Sequence, residues 1–207
     1  MQKRIVLLVM LFIGISLHAQ RSTFIFEPSM YAGFNVGVNN VTAEGAYDAY
    51  SPFESAGMVG GFHLGYDFFP ILGLKASVDF QRFRYPETRQ GMNSLLFNGV
   101  GLSVDAMLNL SNILTYYNLD RRIDFLVFAG VGTLYRSPSN DQTLAVMESD
   151  MLIPLRLGAQ IDYRVNRSLD INLNAMLNVL DDNFNAYIIG FKYDLAPKLS
   201  LGFSYRF

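Results

Sequence analysis

Ser200-Leu201-Gly202-Phe203-Ser204-Tyr205-Arg206-Phe207 closes the chain, and its eight residues alternate without exception. On an extended strand Leu201, Phe203, Tyr205 and Phe207 fall on one side, and Ser200, Gly202, Ser204 and Arg206 on the other. One face is apolar and the other polar. The sequence stops on Phe207 with no polar tail, which fits a last strand whose apolar face meets lipid.

The spacing of Ser200, Gly202, Tyr205 and the terminal Phe207 resembles the carboxy-terminal insertion signal of Gram-negative outer-membrane β-barrels. The resemblance implies that the barrel-assembly machinery reads this end as an exposed strand edge. An ordinary edge strand alternates in the same way, so the remainder of the chain has to decide.

At the other end Lys3 and Arg4 precede an apolar run from Ile5 to Ile15, then Ser16-Leu17-His18-Ala19 and Gln20. Charge, apolar core and small-residue exit are the parts of a secretory signal peptide. The run is shorter than the ~20 apolar residues of a spanning helix. Residues 1–19 are therefore expected to be a signal peptide cleaved after Ala19, and residues 20–207 one barrel domain. Removing Lys3 and Arg4 leaves 14 basic residues against 18 acidic ones, a net charge of −4. That balance argues against nucleic acid as a partner. Cysteine is absent, so neither a lipoprotein anchor nor a disulfide framework is expected.

Mean hydropathy is positive, +0.21, yet after the leader no apolar run is long enough for a membrane helix. The hydrophobicity is spread instead over short alternating segments rich in Phe, Tyr and Gly, as in transmembrane barrels with strands of ~10 residues. Eight such segments are read: Ser29–Asn39, Met58–Phe68, Gly73–Phe83, Leu95–Leu110, one around Phe125–Tyr135, one around Leu155–Tyr163, one around Leu169–Asn178, and Leu195–Phe207. Phe69-Pro70-Ile71-Leu72 and Val165-Asn166-Arg167-Ser168 are tight turns. Asn40–Glu54, Arg84–Asn93, Ser137–Ser149 and Asp181–Asp194 are long loops, with Tyr187–Tyr193 a hairpin arm above the membrane. Ser111–Arg122 is a polar link that breaks the alternation of long and short connections. Outward aromatics gather near strand ends, Tyr66, Phe68, Tyr163, Tyr205 and Phe207 at one boundary and Tyr135 at the other, as amphipathic rings do at headgroup level. The fold expected is all-β, an eight-stranded antiparallel up-and-down transmembrane β-barrel with both termini on one side.

Parity also assigns the interior. His63, Lys75, Asp79, Asp105, Arg156, Asp162, Asp170 and Arg206 all point inward, and buried charges must pair to be tolerated. A barrel of this size has room inside only for side chains. A polar network filling the lumen is the expectation, and a gate whose pairs swap to pass ions is the alternative. Gly99-Val100-Gly101 and Gly130-Val131-Gly132 lack the helix that a nucleotide-binding loop needs, and are read as leaving room for Tyr, Arg and Lys of facing strands. His63, Ser103 and Asp105 have the residue types of a hydrolytic triad, but no motif brings them together. Asp181, Asp182, Asn183 and Asn185 lack the glycine and distal glutamate of a calcium loop. No catalytic residue, cofactor or metal is assigned.

The signal peptide, the alternating strands and the segments Val104–Asn112, Leu180–Asn185 and Gly202–Phe207 together resemble the amino-terminal barrel of OmpA-type proteins. The resemblance implies outer-membrane location, periplasmic termini, and contact with outer-membrane lipid, lipopolysaccharide, the barrel-assembly machinery and a surface ligand held by the loops. Family members commonly continue into a peptidoglycan-binding domain, whereas this sequence stops at the barrel, so cell-wall tethering is not carried over. The function expected is structural or surface-interaction; a narrow porin-like channel and a lipid-modifying enzyme are the other readings. Deleting Phe207 is expected to reduce membrane levels in cells more than it reduces refolding into detergent, measured on the same variant; unchanged membrane levels would make the ending merely a strand.

Overall fold

The computed structural model describes residues 26–40, 56–85, 95–139, 149–181 and 193–207. Their elements are β1 (Ser29–Asn39), β2 (Gly57–Phe69), β3 (Leu72–Tyr85), β4 (Leu95–Asn109), a short helix α1 (Leu110–Leu114), β5 (Ile123–Pro138), β6 (Asp150–Leu152), β7 (Leu155–Arg164), β8 (Leu169–Asp181) and β9 (Tyr193–Arg206). Every neighbouring pair is antiparallel, in the order β4-β3-β2-β1-β9-β8-β7-β5-β6. A further β4–β5 ladder joins the two sides, so the sheet is closed.

The nine segments make eight staves. β6 and β7 both pair with β5, and the partners Leu134↔Leu152 and Val131↔Leu155 step by three residues on each strand. Ile153-Pro154 lies between them in unbroken register. Proline has no N–H to give a ladder, which is why two segments stand where one stave runs; the Pro154 carbonyl still accepts from the Gly132 N–H at 3.1 Å.

Closure has a measurable stagger. From Ser29 the partners run through Asp67, Gly73, Met107, Phe128, Gly158, Met176 and Lys198 back to Asn39. One circuit that starts at Ser29 thus returns to β1 ten residues further on. With ~3.3 Å per residue and ~4.8 Å between strands, that shear over eight staves tilts the strands by about 40°.

Burial alternates along each stave as the sequence pattern requires. Outward residues are large and exposed, among them Phe62 at 64% and Leu102 at 57%. A belt of such side chains would drive aggregation in water; around a closed barrel it is the surface that lipid needs. Aromatics pack edge-on near the end that carries the termini, Tyr66 on Phe68 at 4.9 Å and Tyr205 on Phe207 at 5.3 Å between centroids.

Several boundaries differ from the sequence reading. The loop placed at Ser137–Ser149 begins later, because β5 runs to Pro138, and the sixth stave, read from around Leu155, already begins at Asp150. β3 continues to Tyr85 and β9 starts at Tyr193. The link read as Ser111–Arg122 opens inside α1, capped where the Asn109 side chain accepts from the Asn112 N–H. The turn at Pro70-Ile71 falls where expected; the leader at 1–19, the proposed hairpin arm up to residue 192 and most of the calcium-like segment lie outside the described residues.

Leu102 sits midway along β4 on the lipid side, so Leu102→Arg should cost about 2 to 4 kcal/mol of folding stability, against roughly 0 to 1 kcal/mol for Leu96→Arg near the strand end. Denaturant titration in bilayers measures both, and equal costs would contradict the spanning orientation.

Candidate functional site in the barrel lumen

An eight-stave interior has no space for a large residue at every inward position, so large side chains need small neighbours. Arg156, Gly130 and Asp105 are successive lateral partners on β7, β5 and β4. A Cβ on Gly130 would collide with the Asp105 carboxylate and the Val104 carbonyl. The bare backbone there lets Arg156 reach across one stave to the acid beyond. Gly65 makes the same room for the Tyr31 ring, and Gly158 for Phe128. Of the glycine pairs picked out in sequence, Gly130 leaves room for an arginine and the acid it meets, whereas Gly99 gives way to Phe83 and Leu134.

Arg156 is the centre of the mid-barrel cluster. Its Nε and Nη2 donate to the two oxygens of Asp105 at 3.0 and 3.1 Å, and its Nη1 donates to Asp79 Oδ2 at 3.2 Å. Lys198 Nζ donates to the other Asp79 oxygen at 2.8 Å. Asp105 and Asp79 are 0% and 1% exposed, so these acids depend on their partners: removing a partner from a dry ion pair is far costlier than the pair's net worth. Lys198 was missed in the sequence, although it shares the parity of Ser200.

The remaining inward residues fall into smaller groups. Lys75 Nζ donates to Gln160 Oε1 at 2.9 Å and lies 4.6 Å over the Phe128 ring. Gln160 in turn donates to Asp162 at 2.6 Å, which relays Lys75 to Asp162 without direct contact. His63 Nε2 is 2.8 Å from Ser204 Oγ, which also accepts from Asn172. Ser103 bonds Ser77 at 2.9 Å instead, so His63, Ser103 and Asp105 form no triad. Near the termini Arg206 bridges Asp67 at 2.7 Å and Asp170 at 3.3 Å, and Arg164 lies 3.7 Å from Asp170 and 3.4 Å from Asp124. Among the described residues no group of His, Cys, Asp or Glu is arranged to hold a metal ion. Of the terminal motif, Ser200 and Gly202 face the lumen while Tyr205 and Phe207 face out.

The lumen is layered and not uniformly polar. Met107, Phe128 and Met176 form an apolar layer below the ionic cluster. Toward the long-connection end Phe83 stacks on Phe97 at 5.1 Å, with Val59, Leu134, Leu152 and Leu180 buried on the same inward parity. Inward apolar residues there are legible from parity once the strands are extended to their true ends. The space left at the ionic level, lined by Asn35, His63, Asp79, Arg156 and Lys198, is about 20 Å³, no more than a single water requires. A wider cavity of about 370 Å³ opens at the termini end between Tyr31, Asp162, Arg206 and the β4–β5 connection.

Among solved structures the chain is similar to Ail, the attachment invasion locus protein of Yersinia pestis, in complex with the heparin analogue sucrose octasulfate. Identity is 16% over 88% of this chain and 100% of that one, with a TM-score of 0.56. It is similar to Neisserial surface protein A at 13% identity, 88% and 100% coverage and a TM-score of 0.55. For the N-terminal β-barrel domain of Pseudomonas aeruginosa OprF the figures are 13%, 87% and 100%, and 0.50. At such identities the likeness is one of fold. No curated protein sequence matches. The family model described as "Outer membrane protein beta-barrel domain" matches residues 5–207. Closed eight-stave architecture, lipid-facing exterior and that match over nearly the whole chain agree, and the protein belongs to the outer membrane protein beta-barrel domain family.

Proposed function

We propose that this outer-membrane barrel is a closed structural wall that holds its long connections at the cell surface as a contact surface and passes no steady ion current. The observation that carries this reading is the Arg156 cluster: three charge-assisted bonds to Asp105 and Asp79, tied to Lys198, at a level with about 20 Å³ of free space. A conducting lumen needs water where these side chains stand.

The same reading puts residues 1–19 in a cleaved signal peptide, the termini in the periplasm and the long connections outside. Arg82 and Arg84 support that orientation. Both are exposed on the outward face of β3, beyond Phe80 and toward the long connections, with no ion pair among the described residues. Planar guanidinium groups at that level suit the phosphates of lipopolysaccharide. The aromatic ending of β9 suits recognition by the barrel-assembly machinery. A surface ligand belongs to this reading, as Ail with its bound heparin analogue illustrates for a barrel of like fold. No catalytic step is included in it, and His63, bonded to a serine inside the wall, serves packing.

Purified protein in planar bilayers should show no steady conductance; stable ion-selective channels whose selectivity reverses in Asp105→Lys would establish the channel reading instead. Arg156→Met should destabilise the barrel by about 3 to 5 kcal/mol, because Asp105 is left buried without its cation. Adding Asp105→Leu to that variant should restore most of the loss in the same denaturant titration.

A further inference from the structure

The β4–β5 connection departs from the other turns at its end of the barrel. Those are the two-residue turn at Pro70-Ile71 and the four residues 165–168, whereas this one passes through α1 and on to Arg122. A five-residue helix cannot hold itself in water, and here tertiary bonds hold it. Arg121 donates to Asn112 Oδ1 at 2.8 Å and to the Tyr116 carbonyl at 2.6 Å, and pairs with Asp124 at 3.1 Å. Ser111 Oγ accepts from the Phe125 N–H at 2.9 Å, and the Leu119 carbonyl accepts from Arg164 at 2.9 Å.

These bonds hold Asn112, Arg121 and Asp124 against the barrel mouth, where Tyr117 packs on Phe26 at 5.3 Å, and leave two large side chains of the connection exposed. Leu114 is 81% exposed and Tyr116 56%, a cost in water with no packing gain to offset it. The pair is continuous with the lipid-facing wall: α1 follows β4 directly, and Ile123 and Phe125, at the start of β5, are exposed on the outward side. Tyrosine, with an apolar body and a polar tip, suits the headgroup level. Arg122, at the end of the connection, is exposed and without an ion pair among the described residues.

We propose that the β4–β5 connection is an interfacial anchor, with Leu114 and Tyr116 seated in the headgroup layer of the leaflet at the termini end. The occupant of this exposed apolar surface is phospholipid, and the assignment depends on neither lumen closure nor the leaflet's identity. The chain has no tryptophan, so Tyr116→Trp and Leu114→Trp each introduce a single indole, excited apart from the tyrosines, into the full barrel in vesicles. Both should show blue-shifted emission, quenched by phosphatidylcholine brominated near the headgroup end of its acyl chains more strongly than by deep-brominated lipid, and little by aqueous acrylamide. Emission of a water-exposed indole, quenched by acrylamide and not by either lipid, would overturn the anchor. Leu102→Trp is the reference for the wall, expected to respond most to deep bromine; failure there would refute the spanning barrel along with the anchor, and is distinguishable from failure at 114 and 116 alone.

Discussion

In the hydrocarbon layer an unpaired N–H or C=O has no water to turn to, so a sheet survives there only without edges. The ladder between β1 and β9, from Tyr31↔Arg206 to Asn39↔Lys198, makes the first and last strands neighbours, and the β4–β5 ladder completes the ring. Everything inside depends on the stagger at which that ring closes. Ten residues of shear decide which inward side chains from distant strands share a level, and so which charges meet.

The interior follows from that stagger and from a shortage of volume. Arg156 reaches Asp105 because Gly130 lies between them; Tyr31 and Phe128 occupy room given by Gly65 and Gly158. The glycines weaken their strands locally, and the large neighbours regain the loss by filling the barrel. Layers result, with the ion cluster held between Met107, Phe128 and Met176 on one side and the stacked Phe83 and Phe97 on the other. Apolar layers keep water from the ion pairs, and low polarity strengthens each bond while making a missing partner expensive.

The two ends differ in kind. At the termini end, Arg206, Asp67, Asp170, Arg164 and Asp124 form a partly exposed chain of ion pairs around the wider cavity, where solvent screening lowers the worth of each. At the other end the apolar stack stands nearest the long connections. The middle of the lumen is thus nearly filled while one mouth stands open, and the proposed role as a support for loops rests on that difference.

Alternation with period two is a local property, and for that reason the sequence by itself determined which side of each strand faces lipid. Leu74, Ala76, Val78 and Phe80 against Lys75, Ser77, Asp79 and Gln81 needed no partner strand to be sorted. The tight turn at Pro70-Ile71 was equally legible, because proline cannot serve a central ladder. Strand ends were less so: the sixth segment was read from around Leu155, yet its stave begins at Asp150 and the register runs through Pro154. Partnership belonged to the tertiary structure. Lys198 and Asp79 are 119 residues apart, and nothing in either segment announces the other. His63 was set with Ser103 and Asp105 by residue type alone, and in the ring it meets Ser204 while Ser103 bonds Ser77. The link from Ser111 to Arg122 looked polar as a string, yet in the fold Arg121 turns onto Asn112 and Asp124 while Leu114 and Tyr116 stand exposed. Facing is set by one residue's place in its own strand, whereas partnership is set by the register between strands, and that exists only once the ring is closed.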